Sequence, residues 1–93
     1  MFNLSISTCG NPDHGQDPDR PLYGTPEELK VTASTLVELI RQVRQFQVEY
    51  DVGGGNWMNP QVFKNRKPIG WMSYNGRIWS EQTWTPTIEY KDE

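Results

Sequence analysis

The sequence predicts an α+β fold. We expect a two-layer sandwich in which one amphipathic helix packs on an antiparallel sheet of four or five strands, in the order β(β)αβββ. Three observations lead to this prediction. Residues 35–50 have the apolar spacing of a helix, residues 2–7 alternate apolar and polar side chains, and residues 61–80 hold three short apolar segments between turn residues. A single amphipathic helix cannot bury its apolar side alone, so it needs the sheet.

The first third of the chain predicts one or two strands and a long loop. Residues 2–7 have the period of a half-buried strand, and residues 29–31 are a candidate second strand. Between them, residues 9–26 contain four prolines, three glycines and three aspartates. This composition excludes a helix or a central strand, so we predict an irregular loop. A loop of this length is typically either functional or mobile.

The helix is predicted over residues 35–50. Its apolar residues recur at steps of three or four: Leu36, Leu39, Ile40, Val43, Phe46 and Tyr50. Thr35 and Glu38 have the spacing of a capping box, with Ser34 as an alternative cap. The glycines at 53–55 are expected to end the helix, because glycine adopts the left-handed conformation of a C-terminal cap without strain.

The C-terminal half predicts a meander, with strands at 61–63, 69–74 and 77–80 and a further edge strand at 87–90. Residues 64–67 form the first turn. Asn75-Gly76 predicts a type I′ hairpin turn with positive φ at both central residues. In the central strand, alternation separates Ile69, Trp71 and Ser73 from Gly70, Met72 and Tyr74, and only one of these two sides can meet the helix.

Length and composition restrict the class of protein. The 93 residues predict a single small domain spanning 1–93, in which residues 81–93 are a polar, acidic segment. One cysteine excludes an internal disulfide framework and a cysteine-rich zinc module. We expect no transmembrane helix, no signal peptide and no cofactor, and the lone Cys9 favours a cytoplasmic location.

Charge is segregated along the chain, although the net charge is only −3. Residues 1–52 carry eight acidic and four basic side chains, residues 53–80 carry four basic and no acidic ones, and residues 81–93 carry four acidic and one basic. The weak net charge argues against general nucleic-acid affinity. A basic, tryptophan-rich middle is therefore flanked by acidic ends, which can lie beside it and partly neutralise it.

The segment from residue 35 to residue 79 resembles a group of short, uncharacterised bacterial and phage proteins. The shared features are Gly-Gly-Gly-Asn-Trp after a helix, a Gln-Val-Phe strand, and a closing Ser-Tyr-Asn-Gly-Arg-Ile-Trp hairpin. In those proteins the hairpin ends in Ser-Tyr-Asn-Gly-Arg-Val-Trp or a close variant. The resemblance implies a similar fold and a small accessory role on mobile elements. It supplies no known reaction and no catalytic residues.

The candidate contact residues are aromatic and basic. The aromatic set with its arginine is Trp57, Trp71, Tyr74, Arg77, Trp79 and Trp84. These residues could pack in the core or on the sheet, form a protein interface, or stack on bases. Four tryptophans are many for so small a core, so we expect at least one to be exposed, with Trp84 the first choice. Lys64, Arg66 and Lys67 share one turn, which is either a solvated tip or a contact for phosphate or an acidic surface.

The loop carries titratable residues: Cys9, Asp13, His14, Asp17 and Asp19. Their spacing matches neither an EF-hand nor a zinc signature, so we predict no metal site. Cys9 and His14 lack a visible orienting group or oxyanion element, and we predict no enzyme. The loop is then a plain surface loop or a partner contact. The helix side with Arg41, Arg44, Gln45 and Glu49 is either solvated or packs on another protein.

These observations predict a non-enzymatic protein-binding module that acts through an exposed sheet face or edge, aromatic anchors and the loop. The resemblance adds a more specific expectation: a phage-like inhibitor of a host defence complex, in the manner of an anti-CRISPR protein. The alternative is a small nucleotide or single-stranded nucleic-acid binder that uses Trp71, Tyr74, Arg77 and Trp79. We also expect that the chain can form a homodimer through a sheet edge.

Overall fold

One antiparallel sheet and one helix form the fold in the computed structural model, which describes residues 1–80, 89 and 90. The main elements, in chain order, are β1 (Phe2–Thr8), β2 (Leu29–Ala33), α1 (Leu36–Glu49), β3 (Trp57–Met58), β4 (Gln61–Lys64), β5 (Lys67–Met72) and β6 (Ile78–Trp79). One-turn 3-10 helices lie in two of the connections, at Pro12–His14 and Gly54–Asn56. The first corrects the prediction that the loop holds no helix, because Asn11 caps it by accepting from the Asp13 N–H and Pro12 is tolerated at its start. The strand order is β2-β1-β4-β5-β6, and β3 also pairs with β1. The α+β prediction is confirmed, with six strands in the described residues instead of four or five.

β1 is the central strand because it is paired along both of its edges. β2 pairs with one edge, from Phe2↔Ala33 to Ile6↔Leu29, while β3 and β4 share the other. Every second β1 residue is buried, beginning with Phe2 and ending with Thr8. The predicted period-two strand is therefore confirmed, and its buried side faces the helix.

The helix begins where the sequence predicts. Thr35 is the N-cap, and its Oγ1 accepts a hydrogen bond of 3.2 Å from the Glu38 backbone N–H. The Glu38 carboxylate does not complete a capping box; it accepts two hydrogen bonds from the Arg41 guanidinium, which hold the pKa of Glu38 below its ordinary value. Leu39, Val43 and Phe46 are buried on the side that faces the sheet.

The predicted glycine cap of the helix is wrong. The left-handed residue is Asp51, with φ of 52°, two residues before the first glycine. The Val52 N–H donates to Gln47 O at 2.8 Å and the Asp51 N–H donates to Val48 O at 3.3 Å, which is the hydrogen-bond pattern of a Schellman motif. Val52 is buried, so its side chain fixes the chain reversal before the glycines are reached.

Both predicted hairpin turns are present. The β4–β5 turn spans residues 64–67 as predicted, and its central residues, Asn65 and Arg66, both have the positive φ that a type I′ turn requires. A turn is present at the β5–β6 hairpin, as predicted, but it is not type I′. Of Asn75 and Gly76, only Gly76 has positive φ. There the Gly76 N–H donates to Ser73 O and the Ser73 N–H donates to Arg77 O, which gives a three-residue loop.

The outer strands follow the predicted alternation. In β5, Gly70 and Met72 are buried on the helix side, whereas Ile69 and Trp71 are partly exposed. Of the predicted edge strand at 87–90, residues 87 and 88 lie outside the described residues. Glu89 forms an antiparallel bridge with Trp79, and the Tyr90 N–H donates to Ile78 O at 2.6 Å.

Gly70 is a position at which only glycine fits. Its φ is 146°, and an added Cβ would lie 2.5 Å from Trp79 O. We expect Gly70→Ala to lower the free energy of unfolding by about 2–3 kcal/mol, because it combines backbone strain with overpacking. Gly54→Ala is the matched control, since its Cβ would meet only Tyr74 Cδ1 at 3.9 Å. Urea unfolding of the two variants measures the difference, and equal stabilities would contradict this account.

Candidate protein-binding surfaces

Trp57 lies in the core. It is only 7% exposed, and its Nε1–H donates a 3.0 Å hydrogen bond to Met72 O. The pairing of Trp57 with Thr8 in the β1–β3 register directs its side chain to the buried side of the sheet. This corrects the expectation that Trp57 belongs to the contact set, because its indole is enclosed in the core.

Trp71 and Trp79 lie directly opposite each other on β5 and β6. Both are partly exposed, on the sheet face that points away from α1. The Trp79 Nε1–H donates to Ser73 Oγ at 3.2 Å, so this indole has a fixed orientation. Trp84, the residue expected to be most exposed, lies outside the described residues.

Tyr74 lies on the helix side of the β5–β6 hairpin, apart from the two tryptophans. Its hydroxyl donates to Val52 O at 2.9 Å, and the Arg44 guanidinium carbon is 5.8 Å from its ring centroid. Arg77 is exposed in the same hairpin. The four residues predicted to stack on bases are therefore not gathered on one surface.

The three predicted cations do share one turn. Lys64 and Lys67 are paired across the β4–β5 turn, with Arg66 between them. The Lys64 ammonium is 5.2 Å from the centroid of the Phe2 ring, while Arg66 and Lys67 are exposed. This turn lies at the Phe2 end of β1.

The loop of residues 9–28 is held by a buried asparagine that the sequence analysis missed. The Asn56 Nδ2 donates to Cys9 O and to Gln16 Oε1, both at 2.9 Å, and its Oδ1 accepts from the Gly53 N–H at 3.2 Å. Gly55 lets the loop approach closely, because a Cβ there would overlap the Asn11 amide. Gly55 therefore serves loop packing, and none of the three glycines caps the helix.

Thr8 anchors the second half of the loop. Its buried Oγ1 accepts from the Leu22 N–H at 3.0 Å and lies 2.8 Å from Thr25 Oγ1. The Thr25 hydroxyl donates its one proton to Leu22 O at 2.6 Å, so the Thr8 hydroxyl is the donor between the two threonines. The last residue of the central strand thus fixes both ends of a four-residue turn.

That turn presents Tyr23, which is 100% exposed. The Thr25 N–H donates to Leu22 O at 3.1 Å, and Gly24 has φ of 88°, as the third residue of a type II turn requires. Tyr23 therefore occupies the outer corner. In the sequence, the Tyr-Gly pair within a proline-rich loop indicates a turn, but the neighbouring residues do not show that the tyrosine ring is exposed to solvent.

The loop that carries Tyr23 is acidic. The exposed carboxylates of residues 9–28 belong to Asp13, Asp17, Asp19, Glu27 and Glu28. The one arginine of this segment, Arg20, lies 3.5 Å from the Asp17 carboxylate. The two halves of the loop thus place a ring and an excess of negative charge on the same end of the molecule.

The described part of the chain holds no group of three or more His, Cys, Asp or Glu side chains that could bind a metal ion. Within residues 1–80, 89 and 90, no helix combines the length and the apolar composition needed to cross a bilayer. The Cys9 thiol lies 3.8 Å from Gly55 O, in the contact between the loop and the glycine turn.

Comparisons of the chain with protein-family models, with curated proteins and with solved structures found no match.

Removal of the Thr8 hydroxyl should release the Tyr23 turn. Thr8→Val keeps the shape of the side chain but leaves the Leu22 N–H without its acceptor, so we expect a loss of about 1–3 kcal/mol in unfolding free energy. Thr32→Val, at an exposed position of β2, is the matched control. Hydrogen exchange should show faster exchange of the Leu22 and Thr25 amides in Thr8→Val alone. Unchanged exchange at these amides would show that Thr8 does not hold the turn.

Proposed function

We propose that the chain is a non-enzymatic protein-binding module that contacts its partner through the loop of residues 9–28. One observation carries this proposal: Tyr23 is fully exposed on a turn that hydrogen bonds to the buried Thr8 hold in place. A ring that stays in water contributes nothing to folding through burial, so its whole surface is available for burial by a partner.

Tyrosine suits this role because it buries a large area on binding and orders few rotatable bonds. Tyrosine, tryptophan and arginine are the residues enriched among interface hot spots. A loop already held by Thr8 and Asn56 loses little conformational entropy when it binds, which leaves more of the contact energy for affinity. The hydrogen bonds of the loop therefore favour a preorganised contact.

The charge of the loop specifies the kind of partner. Five exposed carboxylates and one paired arginine favour a basic protein surface. Opposite charge accelerates encounter and selects against acidic partners, and both effects weaken as salt is added.

The more specific proposal is that the partner is a host defence complex. It is supported by the resemblance of residues 35–79 to short bacterial and phage proteins. Complexes that bind nucleic acid present basic surfaces, which an acidic loop complements. An anti-CRISPR-like inhibitor would block such a surface by binding to it and would catalyse no reaction.

Binding of single-stranded nucleic acid is the second candidate, and the pairing of Trp71 with Trp79 favours it. Two partly exposed indoles on neighbouring strands offer adjacent faces for base stacking. The position of Tyr74 against the helix weakens this candidate, because one of its four predicted stacking residues lies elsewhere.

Photocrosslinking from residue 23 tests the first proposal. With p-benzoylphenylalanine in place of Tyr23, we expect one discrete adduct in host lysate, whereas the same group at the exposed Ser34 gives none. Mass spectrometry then shows whether the partner belongs to a defence complex.

With the purified partner, Tyr23→Ala should weaken binding about 30-fold, the loss of a hot spot worth about 2 kcal/mol. Equal affinities of Tyr23→Ala and the unchanged chain would refute the proposal.

Tryptophan fluorescence separates the two candidates. Because we propose a protein partner, titration with a 12-residue single-stranded oligonucleotide should leave the emission unchanged at low salt. Quenching that weakens with salt, and is lost in Trp71→Ala and Trp79→Ala, would favour the second candidate instead.

A further inference from the structure

A second surface, separate from the loop, lies between α1 and the β5–β6 hairpin. We call it the helix–hairpin groove; it is a cleft of about 450 Å³ lined by Ile40, Val43, Arg44, Gln47, Tyr74 and Gly76. Its floor is aliphatic, and its rim carries the Arg44 guanidinium. No residue of the 9–28 loop lines it.

Exposed valines extend this groove along the helix. Val37 is 78% exposed and Val48 is 67% exposed. The spacing of residues 37, 40, 44 and 48 places both valines on the same side of α1 as Ile40 and Arg44. Valine is a poor helix former and gains nothing from burial here, so helix stability does not explain either residue. The two valines and Ile40 thus form an apolar stripe that Arg44 interrupts, and exposed apolar side chains beside an arginine are typical of an interaction surface.

The hairpin wall of the groove is rigid. Tyr74 is held at both ends, because its hydroxyl donates to Val52 O and its backbone O accepts from Gln47 Nε2 at 3.1 Å. At the tip, an added Cβ on Gly76 would lie 3.2 Å from Ile40 Cγ2, so the hairpin approaches the helix closely. The groove therefore exists before any partner binds.

Arg44 gives the groove its charge preference. Its Nη1 lies 3.3 Å from Gln47 Oε1 and 3.5 Å from Tyr74 Oη, and both of these atoms are neutral. Within the described part of the chain Arg44 makes no ion pair, whereas Arg41 on the same helix is paired with Glu38. The other guanidinium nitrogens remain available to a carboxylate.

We propose that the helix–hairpin groove binds an acidic amphipathic helix of a second protein. An aliphatic or aromatic side chain fills the cleft over Ile40, a carboxylate pairs with Arg44, and further apolar residues one turn apart cover Val37 and Val48. The valines are 11 positions apart, so the stripe runs for roughly 16 Å and accommodates about three turns of a bound helix. This goes beyond the loop proposal, since it needs neither Tyr23 nor the acidic loop.

A displayed library of 16-residue helix-forming peptides, selected against the full chain, tests the proposal. We expect the enriched peptides to carry apolar residues three or four positions apart and an excess of Asp and Glu. Their binding should shift the amide resonances of Ile40, Gln47 and Gly76. Arg44→Glu should weaken binding at least tenfold and select basic peptides, whereas Arg66→Glu, with the same change in charge, should do neither.

Val48→Gln provides a second variant that does not endanger the fold, because the residue it replaces is exposed. We expect it to weaken peptide binding about fivefold without lowering the melting temperature. The proposal is overturned if no peptides are enriched, if the enriched peptides show no preference for acidic residues, or if their resonance shifts fall in residues 9–28. It is also overturned if binding appears only after Asp92→Asn and Glu93→Gln, since the groove would then belong to the acidic end of the chain itself.

Discussion

The structure depends on the burial of one side of β1. This strand is paired along both edges, and its alternate side chains supply the centre of the core. The buried side ends in Thr8, a polar residue. A buried hydroxyl is unfavourable unless it is hydrogen-bonded, so the strand requires the Leu22 and Thr25 partners that the loop provides. Core and loop therefore depend on each other. Thr8 holds the turn at Tyr23, and the turn supplies the hydrogen-bond partners of the buried Thr8 hydroxyl.

Sequence alone predicts the elements in which apolar residues recur at a regular spacing. Alternation over residues 2–7 identifies β1, and apolar spacing identifies α1 to within a residue at its start. The details it misses depend on tertiary contacts. Asp51 takes the left-handed conformation because burial of Val52 reverses the chain there, ahead of three glycines that would do so more easily. β3 is two residues long, which is too short to show alternation and is defined only by its pairing with β1.

The candidate surfaces show the same division between local and long-range information. Trp57 and Trp71 are equally prominent in the sequence, yet pairing with Thr8 places the first in the core, while the second lies across from Trp79 on the other sheet face. The strand register decides which tryptophan is buried, and the residues next to each tryptophan in the sequence do not reveal that register. Tyr23 was missed for the related reason that its exposure follows from hydrogen bonds to Thr8, which precedes it by 15 positions.

The two ends of β1 differ in charge. Lys64, Arg66 and Lys67 lie at the Phe2 end, beside which α1 begins, and the acidic loop lies at the Thr8 end, towards which α1 runs. The helix dipole has the same direction, positive near the basic turn and negative near Asp51. A seven-residue strand separates these ends by roughly 20 Å, more than a Debye length at physiological salt. Each end therefore acts on approaching molecules almost independently. The proposed groove has none of the loop residues in its lining, so the basic partner proposed for the loop and the acidic partner proposed for the groove would not compete for the same residues.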